Sequence, residues 1–296
     1  MDRFLLLNGL AAIVLIALIF IFLFREGLRA LWNIPLASFW GAHDTDWDGN
    51  ARYVHVWQPN GDNPKYSLLP LLCGSFLVAI PALLLSGGIG LACGIYMAEI
   101  AGRRVRNLVK PVIELLAGIP AIVIGFFCLV TLATVLQRVT HSDFRLNAVV
   151  GAIGVSFVVI PVIASLVDDA LRAVPNHLRE AAYGMGATRW EAITRVVFPA
   201  AVSGVAAALI LGMGRALGET MIVLLATGNA AQATLDPLVS VRTMTATIAA
   251  ELGAVPQGGP WYQALFLIGS LLFTITFILN LVAEMIVSRM RRRLSL

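Results

Sequence analysis

The chain has 296 residues, 59% of them hydrophobic and 13% charged, with a mean hydropathy of +0.86. Soluble domains carry about 25% charged residues, so a water-soluble globular fold is excluded. The formal charge of +4 is spread over short segments between apolar runs, which argues against nucleic acid as a partner.

Apolar stretches of spanning length fall near 4–24, 67–100, 107–137, 147–170, 200–229 and 263–288. Each is roughly 20 residues or longer, enough to cross a bilayer as a helix. Evenly alternating segments are absent, which excludes a β-barrel. The fold class expected is an all-α polytopic membrane protein with six transmembrane helices.

The first stretch, FLLLNGLAAIVLIALIFIFLF, is longer than a signal-peptide core and has no A-x-A site after it, so it is read as an uncleaved helix. Residues 25–66 then turn polar and rich in Trp, Pro, Asn and Asp. They contain DTDWDG (Asp44 to Gly49), the first half of a calcium-loop pattern. Its twelfth position is His55, where a bidentate Glu is needed, so a polar external turn is the reading. Cys73, Cys93 and Cys128 have no metal-ligand spacing and are read as small core residues.

Pro81, Pro120 and Pro161 fall inside the apolar runs, where each is expected to kink its helix. The neighbouring SGGIG and AGIPAIVIG segments allow close helix contacts. With six spans, the inner side receives Arg3, Arg103, Arg104, Arg106, Lys110, Arg172, Arg179, Arg189, Arg195 and the tail arginines from Arg289 to Arg293. The longer outer segments receive fewer, which places both termini in the cytoplasm.

The most informative cytoplasmic stretch is VPNHLREAAYGMGATRWEAITRVVFPAA, residues 174–201. Pro175 stops one helix and starts a short one. Gly184 and Gly186 end it. Thr188 and Glu191 read as a capping box opening a second short helix, which Pro199 closes. Glu180-Ala181-Ala182, then Gly186, then Val196, Phe198 and Pro199 resemble the EAA loop of ABC-transporter permeases. The resemblance implies that this loop couples the permease to an ATP-hydrolysing subunit.

In the fifth stretch, LGMGRALGETMIVLLATG, Arg215 and Glu219 interrupt an apolar run. An arginine at a helix centre costs about 2.5–3.5 kcal/mol on insertion scales. Spacing of four places the two charges on one helix face, where they can pair. Two readings stand side by side. The pair faces a polar pathway, or it is a lock between helices on the face marked by Gly214 and Gly218. Among the remaining acids, Glu99 and Glu114 are expected to pair near Arg103, Arg104 and Lys110. Asp168 and Asp169 are expected to tie the loop to its span through Arg172, while Arg242 and Glu251 belong to the outer region.

The stretches IELLAGIPAIVIGFF, GRALGETMIV, VRTMTATIAAELG and YQALFLIGSLLFTITFILN are similar to PstC-type permeases of bacterial phosphate importers. The resemblance covers about residues 67–288 and weakens over 25–66. It implies a MetI-like type I permease fold and a place in the bacterial inner (cytoplasmic) membrane. It also implies a second, PstA-type permease, a dimer of ATPase subunits, an extracytoplasmic phosphate-binding protein and phosphate as the cargo. On this reading the Arg215 fork binds phosphate oxygens and Glu219 accepts the P–OH proton that sulfate lacks.

The expected organisation is a first helix with its outer segment over 1–66 and a permease domain over 67–288 that carries the coupling loop, 171–199. A basic tail follows over 289–296. The chain is expected to bind no cofactor or metal; ATP and Mg belong to the ATPase, because no G-x-x-x-x-G-K-[ST] is present and the only lysines are Lys65 and Lys110. No H-E-x-x-H or G-x-S-x-G pattern points to an enzyme. Another oxyanion, or a proton-coupled secondary transporter using Glu219 as relay, remain as alternatives.

Overall fold

The computed structural model describes residues 2–45 and 51–294. Among the described residues, six helical stretches are long and apolar enough to cross a membrane: Asn8–Asn33, Leu69–Ile100, Ala121–Thr140, Ala148–Arg172, Arg189–Gly218 and Pro260–Met285. Three of the expected spans have different limits, each for a local reason.

Helix α1 (Asp2–Asn33) runs past the apolar run. Glu26 and Arg29 form an i,i+3 pair at 3.0 Å in its last turns, and such pairs stabilise an exposed helix slightly. After a 3₁₀ turn, strands β1 (Ala42–Thr45) and β2 (Ala51–Val54) pair antiparallel, Ala42 opposite Val54. Strands β3 (Trp57–Gln58) and β4 (Lys65–Tyr66) make a second small hairpin. Residues 46–49 of the calcium-loop reading lie outside the described residues.

Helix α2 (Leu69–Ile95) contains Pro81 and ends in a π turn, Tyr96–Ile100. The expected third span is two helices. Helix α3 (Arg103–Ala117) is amphipathic and has no fully buried residue, while the spanning part begins with α4 (Ala121–Phe127). That part continues through a π turn, Cys128–Leu132, into α5 (Ala133–Thr140). Pro120 therefore breaks the helix instead of kinking it. Proline disfavours helical backbone at Ile119, and the Gly118 amide closes α3 by bonding the Leu115 carbonyl at 3.0 Å. Pro161, in contrast, stays inside α6 (Ala148–Arg172).

The loop contributes α7 (Asn176–Gly184) and α8 (Arg189–Ala192). A π turn, Ile193–Val197, joins α8 to α9 (Phe198–Gly218). Helices α10 (Met221–Ala226), α11 (Met244–Glu251) and α12 (Pro260–Leu294) complete the chain.

Contacts divide the chain into two units. One comprises Met1–Gly74, Asn229–Thr234 and Val241–Ile275. Its core includes Ala30, Trp57, Leu71, Met244, Leu265 and Ile268. Glu251 is its polar hub: its carboxylate accepts the indole N–H of Trp57 at 3.1 Å and of Trp261 at 2.8 Å, and pairs with Arg242 at 2.8 Å. Three donors on one half-buried carboxylate satisfy its lone pairs where water is scarce, a pairing beyond the sequence expectation, which only assigns both residues to the outer region.

The other unit comprises Ser75–Gly228, Leu235–Ser240 and Thr276–Leu296. Its centre is α6, whose Val155, Val159, Ile163, Val167 and Leu171 are buried. A Cβ at Gly90 would lie 2.8 Å from the Ile163 side chain, and one at Gly94 2.6 Å from Val167. These glycines let α2 approach α6 more closely than any side chain allows.

Candidate coupling and transport sites

The loop after α6 is built by local hydrogen bonding. Helix α7 ends in a Schellman motif: the Ala187 amide bonds the Ala182 carbonyl and the Gly186 amide bonds the Tyr183 carbonyl, both at 3.0 Å. The motif requires a left-handed residue, and Gly186 takes φ +83°. Gly184 is instead the last helical residue. The capping box forms in both directions, the Glu191 amide reaching Thr188 Oγ1 at 3.3 Å and the Thr188 amide reaching Glu191 Oε2 at 3.0 Å.

Pro199 does not close the second helix. The chain runs helical from Arg189 to Gly218, and the π turn before Pro199 accommodates the missing amide. The second short helix is thus the first turn of the fifth span.

Glu180 and Ala181 are exposed while Ala182 is buried. A groove of about 530 Å³ is lined by Leu178, Ala181, Met185, Gly186, Glu191 and Val196, among others. Met185, which lines the groove, is 89% exposed, and Trp190, the neighbour in sequence of the lining residue Glu191, is 64% exposed, so two large apolar side chains of the loop are left open.

Two charge clusters that differ from expectation hold the loop's base. Glu99, at the end of α2, pairs with Arg179 of α7 at 2.6 Å, not with Arg103, Arg104 or Lys110. Arg179 also donates to the carbonyls of Val174 and Leu171 at 2.6 and 2.8 Å, and Arg189 donates to the Glu99 carbonyl. Glu114 is exposed. The fully buried Asp168 accepts from Arg106 at 2.9 Å and Lys110 at 3.1 Å, and Lys110 also reaches Asp169 at 3.0 Å. The partner of these acids is α3, not Arg172. The Glu99–Arg179 contact spans 80 residues, and such a separation carries no periodic signal in sequence.

The Arg215–Glu219 pair is rearranged as well. Helix α9 stops at Gly218, and Glu219 is extended at φ −66°, ψ 132°. The helix ends between the two charges, so spacing of four does not put them on one face. Glu219 Oε1 accepts the amides of Thr220 at 3.1 Å and Ile222 at 3.4 Å, satisfying donors exposed at the start of α10. Ile222, Val223 and Ala226 bury α10 on its other side.

Arg215 is exposed and makes no salt bridge among the described residues. It shares a stripe with the exposed Leu211 and Gly218, at i, i+4 and i+7, whereas Ala201, Val205, Ala208, Gly212 and Ala216 face inward. A Cβ at Gly218 would meet nothing within 4 Å. The arginine therefore stands on the face of α9 that its own chain leaves open.

Comparison with known proteins gives this arrangement its context. Residues 90–292 match the family described as the binding-protein-dependent transport system inner membrane component. A probable ABC transporter permease protein, YqgH of Bacillus subtilis, is 35% identical over 79% of this chain and 75% of its own length. The phosphate transport system permease protein PstC of Xylella fastidiosa is 30% identical, covering 90% of this chain and 87% of the relative. PstC of Mesorhizobium japonicum is 30% identical over 80% of this chain and 77% of its own.

Among solved structures, a chain of the inward-facing MetNI methionine ABC transporter superposes with a TM-score of 0.57 at 17% identity. It covers 75% of this chain and 97% of that one. An amino acid ABC transporter gives 0.51 at 16% identity, covering 74% and 94%. The family match extends over well more than half of the residues, through the loop and the α9–α10 break alike. The chain belongs to the binding-protein-dependent transport system inner membrane components, as a multi-pass, mostly helical membrane protein with the MetI-like ABC permease fold; the two small hairpins before α2 modify the all-α expectation.

Proposed function

We propose that this chain is the phosphate-conducting permease subunit of an ATP-driven importer in the bacterial inner membrane. It forms half of the pathway beside a second, PstA-type permease. An extracytoplasmic binding protein delivers phosphate, and two ATPase subunits, which carry ATP and Mg, grip the loop. The observation that carries the reading is the loop itself: a helix pair closed by Gly186 and opened by Thr188–Glu191, presenting a groove and leaving Met185 and Trp190 exposed. Exposed apolar side chains around a concavity suit burial against another protein. Glu180, Ala181, Ala182, Gly186 and Pro199 are the coupling residues on this reading.

Phosphate as the cargo rests on the likeness to PstC proteins and on Arg215 and Glu219. The open face of α9 lets Arg215 meet an ion at the boundary with the second permease, where its planar fork matches two phosphate oxygens. Glu219 stands one turn further on, in a segment of non-helical backbone. Such backbone is tolerated at membrane depth only where it is buried in protein or lines a cavity. Membership of a binding-protein-dependent family favours this over proton-coupled secondary transport.

The test is uptake of radiolabelled phosphate by cells expressing this chain with its partner subunits, in competition with sulfate, molybdate and tungstate. The reading expects uptake that needs the ATPase and yields to none of the three at equal concentration. Equal inhibition by molybdate would move the assignment to another oxyanion.

A further inference from the structure

We propose that a polar hollow at the base of the loop is a binding site for a phosphate-type oxyanion, separate from the pathway residues Arg215 and Glu219. The hollow encloses about 390 Å³ and is lined by Ala98, Glu99, Arg172, Asn176, Arg179, Tyr183 and Arg189. Its walls come from the end of α2, the end of α6, and the helices α7 and α8 of the loop.

Charge accounting inside the hollow leaves cations over. Glu99 is its only acid, and its side chain, 7% exposed, is neutralised by Arg179 at 2.6 Å. The donors of Arg179 are spent on Glu99, the carbonyls of Val174 and Leu171, and Asn176 Oδ1. Arg179 is therefore part of the wall.

Arg189 uses one nitrogen on the Glu99 carbonyl and keeps the rest of its fork. Arg172 has no hydrogen bond or ion pair among the described residues, since the nearby Asp168 and Asp169 are taken by Arg106 and Lys110. Two unneutralised guanidinium groups thus line one hollow. Tyr183 and Asn176, two residues able to donate, complete the polar lining, and the Asn176 oxygen already serves Arg179.

That donor set selects an anion with several acceptor oxygens. Two arginines bind phosphate oxygens through charge-assisted, forked hydrogen bonds. The hollow is roomier than a bare ion requires, so a phosphodiester headgroup fits the same chemistry as free phosphate. An anion held by Arg172 and Arg189 would link the end of α6 to the start of α8 across the loop. Occupancy would then bias the loop's position, and the loop's position would bias occupancy by the same factor. The inference does not depend on which ion the chain conducts.

The test uses the full-length chain in nanodiscs, in an Arg215→Gln background that removes the pathway arginine. In phosphatidylcholine alone, binding of radiolabelled inorganic phosphate is measured. In phosphatidylcholine mixed with phosphatidylglycerol, retention of phosphatidylglycerol is read by native mass spectrometry. Arg172→Gln is expected to weaken binding about tenfold, as loss of one charge-assisted contact does. Arg172→Lys should restore part of it, and Arg104→Gln, an exposed arginine of α3, should change nothing.

A loss confined to the phosphate arm identifies the free ion, and a loss confined to the lipid arm identifies the headgroup. Either supports the site. Binding that is unchanged by Arg172→Gln in both arms, or lowered as much by Arg104→Gln, overturns it.

Discussion

The loop after α6 and the break after α9 are both interruptions of helical chain in one unit, yet they are made differently. The loop is closed by bonds within a few residues: Gly186 in the left-handed region, and Thr188 and Glu191 capping each other. The break at Gly218–Thr220 has no glycine at positive φ and no proline. A glutamate, ordinarily a good helix former, turns its carboxylate onto the amides of Thr220 and Ile222. A stop enforced by local chemistry serves shape. Under the proposed function, a stop that uses a charged side chain in an apolar run serves that charge.

The largest expected effect tests how the loop is held. Truncating Glu99 to Ala leaves the mostly buried Arg179 without its charged partner, and breaking such a pair costs up to about 3–5 kcal/mol, the figure for a fully buried one. Denaturation in detergent should show this, and under the proposed function the ATPase should be lost with the loop's placement. Asp168→Ala is expected to match it, since Asp168 is fully buried under Arg106 and Lys110. An effect no larger than a surface substitution in both would mean that the loop stands on its own local bonds.

Next comes the turn. Gly186→Ala puts a Cβ at φ +83° and should cost about 1–2 kcal/mol, the penalty for left-handed backbone. Thr188→Ala removes one capping bond for about 1 kcal/mol. The smallest effect on stability is expected for Glu219→Gln, within about 0.5 kcal/mol, because the amide oxygen still accepts from Thr220 and Ile222. Under the proposed function, phosphate uptake should nevertheless fall about tenfold, the worth of a hydrogen bond to a charged group. Uptake that tracks stability instead would make Glu219 a structural cap and nothing more.

These contrasts also mark what is legible in the chain. Six spans follow from hydrophobic length, and the turn at Gly186 and the capping box from residue types whose bonds close within a turn. The break at Pro120 is not legible in the same way, because a proline in an apolar run either kinks or ends a helix, as Pro161 and Pro120 do, and tertiary packing decides which. The pairing of Glu99 with Arg179, and of Asp168 with Arg106 and Lys110, is hidden because tertiary packing selects among many arginines of equal charge. Arg215 and Glu219 stand out as chemistry, but their geometry does not, since spacing of four has meaning only while the helix continues.

The measurement closest to the central claim separates the two regions in one assembly. Arg215→Gln and Met185→Glu would each be reconstituted with the partner permease, the ATPase and the binding protein, and both phosphate transport and ATPase retention read. Arg215→Gln is predicted to lose transport and keep the ATPase, while Met185→Glu is predicted to lose the ATPase itself. Transport at the parent rate in Arg215→Gln would contradict the account.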